Sequence, residues 1–216
     1  MKISKKTLSI LKNFAGINQS IVINPGSTLQ TISNVKDMFA KATVEETFEK
    51  QVAIYDLNAF LGVVGLFEDP DFSFGDEAVT IKEGSSSQKY FYADASVITT
   101  PPEKGVTLPS VEVEAQLTKE QLGRLIRAAS ANGASDLTFS SGDVKVHDKS
   151  VPNSNSFIIS DVAGSGNYEL SISVEKLKMV ADDYKVSICS KGLSHFSGTS
   201  GVEYFVALQP DGKYEA

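Results

Sequence analysis

Apolar positions fall into a helical rhythm near the start of the chain and again just past its middle. From Ser4 onward, at about 100° per residue, Leu8, Ile10, Leu11, Phe14 and Ala15 share one broad arc, with Lys5, Lys6, Ser9, Lys12, Asn13 and Gly16 opposite. From Thr118 onward, Leu122, Leu125, Ile126 and Ala129 turn inward, leaving Lys119, Gly123, Arg124, Arg127 and Ser130 outward. Each run opens on a favourable N-cap, and Gln121 completes a capping-box pattern with Thr118. Short alternating or continuous apolar runs elsewhere, such as Ile21-Val22-Ile23 and Val186-Ser187-Ile188-Cys189, predict strands.

The two halves repeat one plan. Ile3 to Leu8 leads through Leu11 and Asn18 into Ile21-Val22-Ile23 and then Pro25-Gly26. Leu117 to Leu122 leads through Leu125 and Asn132 into Leu137-Thr138-Phe139 and then Ser141-Gly142, an offset of 114 positions in the helix and 116 after it. Each copy continues with a strand and a second short amphipathic segment, 52–55 then 56–61 in the first and 168–172 then 174–179 in the second. The predicted unit is helix, strands, short helix, strands. Between the copies, Thr99 to Pro109 is rich in Pro and Gly and reads as a connector. The expected organisation is a domain over 1–100, a connector over 101–116 and a second domain over 117–216. The stretches 84–87, 152–156 and 161–167 read as exposed loops.

Charge changes the picture. The net charge of −7 by itself argues against nucleic acid, but residues 1–36 hold Lys2, Lys5, Lys6, Lys12 and Lys36 and no acid. Residues 37–116 carry fifteen acids against five lysines. The polar arc of the first helix is acid-free, and that of the second has only Glu120 opposing its bases. A solvated helix ordinarily alternates Glu with Lys, so phosphate contact accounts for these faces with fewer coincidences. Small residues among the bases, Ser9 and Gly16 or Gly123 and Ser130, keep the surface low. Lys176 and Lys178 could extend it. No base-reading motif accompanies these faces, so contact with the backbone alone is expected.

Residues that could carry catalysis are sparse. His147 and His195 are the only histidines and read as exposed turn residues. Cys189, the only cysteine, reads as a small buried hydrophobe, and its solitude rules out an internal disulfide. The acids Glu68, Asp69, Asp71, Asp76 and Glu77 lack calcium-loop spacing and read as a solvated turn. Nucleotide-binding and nucleophile-elbow motifs are missing. No stretch is long and apolar enough to span a bilayer, and the basic N-terminal segment is unlike a secretory signal.

Three segments carry a family resemblance: Met1 to Lys5 with Leu11 to Asn18, Val52 to Gly62, and Tyr204 to Leu208. They resemble the polymerase processivity clamps of T-even-type bacteriophages, related in architecture to the proliferating-cell-nuclear-antigen-like clamps. The resemblance implies an α+β fold of two similar DNA-clamp domains, with helices on one face of antiparallel sheets, in a homotrimeric ring of sixfold pseudo-symmetry. It implies a non-enzymatic sliding clamp, without cofactor or metal, that encircles duplex DNA independently of sequence in the infected host's cytoplasm. Implied partners are the phage DNA polymerase, an ATP-dependent clamp loader and late-transcription factors, with no membrane. Carried over by position, Lys5, Lys12, Lys119, Arg124, Arg127, Lys176 and Lys178 would face DNA. Val106, Leu108, Phe205, Ala207, Leu208 and Pro210 would form an apolar pocket for partner tails between the domains. A structural β-rich two-domain protein, and an enzyme with dispersed residues around 68–77, are the alternatives.

Overall fold

Both predicted helices begin where their caps place them in the computed structural model, which describes residues 1–215. The chain divides into two compact units, Met1–Gly105 and Val106–Ala216. The boundary falls inside the predicted connector.

In the first unit, α1 (Lys5–Ala15) is followed by β1 (Ile21–Ile23), β2 (Gly26–Ile32), β3 (Met38–Phe48) and β4 (Val52–Ile54). Then come α2 (Leu57–Val64), β5 (Asp71–Phe74), β6 (Ala78–Glu83) and β7 (Ser86–Phe91). β1 pairs with β4, β2 with β3, and β5, β6 and β7 form an antiparallel meander. α2 runs one turn beyond the predicted segment, started by the Asp56 carboxylate, which accepts the Ala59 N–H at 2.8 Å. Ile10, Leu11 and Phe14 of α1 are buried, as are Leu57, Phe60 and Val64 of α2.

The second unit repeats this order with a strand added at each end. β8 (Val113–Leu117) leads into α3 (Lys119–Asn132), β9 (Asp136–Ser140), β10 (Asp143–His147), β11 (Phe157–Ile159) and β12 (Asn167–Ser173). After a single 3-10 turn at Val174–Lys176 come β13 (Tyr184–Cys189), β14 (Leu193–Gly198), β15 (Val202–Ala207) and β16 (Lys213–Glu215). The pairing repeats too: β9 with β12, β10 with β11, and β13, β14 and β15 as a meander. β8 pairs with β13, and in the first unit Met1 and Phe72 exchange backbone hydrogen bonds at the corresponding place. The duplicated plan is therefore a duplication of fold, two α+β units built from antiparallel sheets.

Three expectations are corrected. The connector expected over 101–116 ends in strand, since Val113 to Gln116 belong to β8. The stretch 161–167 is partly structured, because Ala163 bridges Ala115, the Val162 carbonyl accepts the Gln116 N–H and the Gly164 N–H donates to the Glu114 carbonyl. It covers the otherwise open edge of β8. The amphipathic segment expected at 174–179 contracts to one 3-10 turn. The backbone N–H of Val180 is held by the Tyr204 hydroxyl at 3.0 Å and its carbonyl by the Tyr184 hydroxyl at 2.6 Å, groups that a continuing helix would need. Burial pushes Tyr184 well up and Tyr204 up to about 12, so both remain hydroxyls.

Candidate nucleic-acid interface

The basic helix faces begin with their caps. In α1 the Ser4 Oγ accepts the Thr7 N–H at 3.2 Å. Glu46, reaching over from β3, takes the Ser4 N–H and, at 2.6 Å, the Thr7 hydroxyl. α1 has no acid in its own first turn, so a carboxylate from a strand supplies the negative charge that its N-terminus favours. In α3 the capping box closes, with Thr118 N–H on Gln121 Oε1 at 2.9 Å and Gln121 N–H on Thr118 Oγ1 at 3.2 Å. Asp183 accepts the Lys119 N–H at 2.6 Å. Gly133 ends α3 at φ 64°, a left-handed position that glycine occupies without penalty.

With the apolar arcs buried, Lys5, Lys6, Ser9, Lys12 and Gly16 of α1 are exposed, as are Lys119, Arg124, Arg127 and Ser130 of α3. Among the described residues no carboxylate forms an ion pair with Lys5, Lys12, Lys119, Arg124 or Arg127. These five cations keep their charge available. Lys2 is different: it pairs with Asp69 at 3.0 Å and Asp71 at 3.7 Å. Hydrogen bonding to Asp69 holds its ammonium above the usual lysine pKa against partial desolvation. Lys36 sits in a turn at φ 60°. The basic block of the sequence thus separates into a helix face, one cation paired with carboxylates and one placed in a turn. Lys176 ends the 3-10 turn, half-buried, and Lys178 is exposed beyond it.

The predicted partner pocket is less gathered. Val106 and Leu108 lie half-buried in the coil before β8. Phe205 and Ala207 lie on β15 opposite His195 and Leu193, Leu208 follows with its N–H on Gly192, and Pro210 is exposed. β13 and β14 separate β8 from β15. The alternation of β15 places Phe205 and Ala207 on the face away from Tyr204, whose ring packs on Tyr184 in the core.

Neither histidine is a turn residue. His147 ends β10, half-buried, its Nε2 2.9 Å from Thr138 Oγ1. Burial holds its pKa below the usual value. His195 lies in β14, its Nε2 2.8 Å from Glu203 and its ring stacked on Phe205 at 4.2 Å. Strand pairing, invisible to local sequence, puts both in place. Cys189 is buried. Among the described residues no group of His, Cys, Asp or Glu is arranged to hold a metal ion, and no helix is long and apolar enough to cross a membrane.

Solved structures share this architecture. An A. fulgidus PCNA, solved with the C-terminal region of FEN-1 bound, superposes with a TM-score of 0.71 at 14% identity, covering 95% of this chain and 96% of that one. The DNA polymerase III beta subunit of Pseudomonas aeruginosa gives 0.71 at 12% identity, over all of this chain and 66% of the other. The fold is that of the DNA sliding clamps. Two family models match in succession, DNA polymerase processivity factor over residues 2–100 and gp45 sliding clamp, C terminal, over 117–210. The sliding clamp of Vibrio phage KVP40 is 32% identical, covering 97% of this chain and 99% of the relative. That of Enterobacteria phage T4 is 28% identical over the whole of both. The chain belongs to the phage sliding-clamp family of DNA polymerase processivity factors.

Proposed function

We propose that three copies of this chain close into a ring around duplex DNA and tether the replicative polymerase of the phage to its template. The observation that carries this reading is the pair of exposed, nearly acid-free helix faces, one in each unit of an otherwise acidic chain. Lys5 and Lys12 of α1, with Lys119, Arg124 and Arg127 of α3, face the phosphates, and Lys176 and Lys178 extend the track. Such contacts hold the backbone without reading bases, so they are weak, salt-sensitive and compatible with sliding. The same face has nothing to recommend it in a purely structural protein.

Val106, Leu108, Phe205, Ala207, Leu208 and Pro210 supply apolar surface for partner tails. An ATP-dependent loader opens and closes the ring, and late-transcription factors share the tail site, all in the cytoplasm of the infected host. The clamp contributes topology and charge, with no chemical step of its own.

Retention on DNA tests this directly. Loaded onto nicked circular duplex, the protein should stay bound through gel filtration and leave when the circle is linearised. Equal retention on both forms would show ordinary binding and remove the encircling role.

A further inference from the structure

One arginine of α3, Arg124, rests against an aromatic ring. The Arg124 guanidinium carbon lies 5.4 Å from the centroid of the Phe157 ring, within cation–π range. Phe157 opens β11, and the register sets it opposite buried Val146, on the face of the sheet that packs under α3. Its neighbour Ile158 points to the other face, opposite Lys145, and is 49% exposed. Glu120, four residues before Arg124 and able in principle to pair with it, forms no ion pair with it.

A carboxylate would occupy the donor edge of the guanidinium and cancel its charge. An aromatic ring takes only the flat face. The N–H donors lie in the plane and stay free for the two oxygens of a phosphate, while the side chain loses much of the freedom it would otherwise give up on binding. We propose that Phe157 is a positioning residue for DNA: it orients the Arg124 fork toward the phosphate backbone without consuming its charge. This rests on the reading of α3 as a DNA-facing helix. The site is then uneven, with a pre-oriented guanidinium in the second unit and, on α1, the ammonium groups of Lys5 and Lys12, which stack on no ring among the described residues.

The test compares Phe157→Leu, which keeps apolar bulk and loses the π face, with Phe157→Tyr, which keeps both. The assay is loader-dependent retention of the full-length clamp on circular duplex across a salt titration. Phe157→Leu should lower retention about two- to fivefold, the size of an exposed cation–π contact, and Phe157→Tyr should restore it. In an Arg124→Ala background, Phe157→Leu should add nothing. Arg124→Ala should also lower the salt slope by about one, as expected for one lost phosphate contact.

The Hε resonance of Arg124, recorded without DNA, gives an independent readout. Its ring-current shift should vanish in Phe157→Leu and persist in Phe157→Tyr. Phe157→Met serves in the same way where the leucine variant folds poorly. If Arg124→Ala is impaired while Phe157→Leu behaves as the parent, the positioning role is overturned and the DNA-facing helix stands. If Arg124→Ala behaves as the parent, Arg124 has no part in DNA contact, and positioning toward phosphate falls with it. An Hε shift unchanged in Phe157→Leu would overturn the ring contact itself.

Discussion

Glu46, Asp136 and Asp182 show how single carboxylates hold this fold together. Burial by itself raises all three, but the hydrogen bonds they accept outweigh it and leave each below its ordinary value. Asp136, 5% exposed, takes the Lys149 N–H at 2.9 Å and the Ser135 hydroxyl at 2.6 Å, with the Gln209 amide on its other oxygen. Asp182 takes the Thr199 hydroxyl and the Ser200 and Asp183 N–H groups. A carboxylate whose pKa is depressed by folding binds its proton more readily when unfolded. Its contribution is therefore complete above the ordinary carboxylate pKa of about 4 and fades as pH falls through the folded value. Urea midpoints should accordingly drop most steeply below about pH 5, after a smaller decline that starts near pH 6.5, where the unfolded chain takes up the proton that His147, held below its ordinary value, refuses in the folded state. Asp136→Asn should flatten part of the drop, and an unchanged midpoint down to pH 3 would refute the account.

At the scale of elements, α3 depends on its ends and on one small residue in its exposed face. Thr118→Ala opens the capping box and should cost about 1 kcal/mol in chemical denaturation. Gly123→Ala should do the reverse. A methyl group there comes within 3.3 Å of the Arg127 guanidinium and of nothing else close by, and the end of that flexible side chain can move aside. The gain in helix propensity, about 1 kcal/mol, then prevails. The strands have no such independence. His195 meets Glu203 and Phe205 because β14 lies against β15, and Phe157 meets Arg124 because β11 passes under α3.

For the whole molecule, charge distribution outweighs net charge. Reversing Lys12 and Arg127 to Glu replaces one exposed cation in each unit with an anion. Loader-dependent primer extension should become less processive, while thermal melting and oligomeric mass stay those of the parent. Unchanged processivity would take both residues out of the DNA track. A loss of assembly would instead make them structural.

Much of this was legible in the chain. The arcs of α1 and α3, their caps at Ser4 and Thr118, the exposed Lys5, Lys12, Lys119, Arg124 and Arg127, and the repeated order of elements all follow from local periodicity. A helix face is fixed by residues three and four apart. The contraction at 174–179, the strand positions of the histidines, the loss of Lys2 to Asp69 and Asp71, and the Phe157 contact were not. Each depends on a partner in another element, from Thr138 for His147 and Glu203 for His195 to Tyr204 for Val180 and Asp69 for Lys2. Sequence thus determined which cations share a face, because helical geometry is local. Tertiary structure decided which of them remain available and which are held in place, because pairing and stacking are settled only when distant strands are brought side by side.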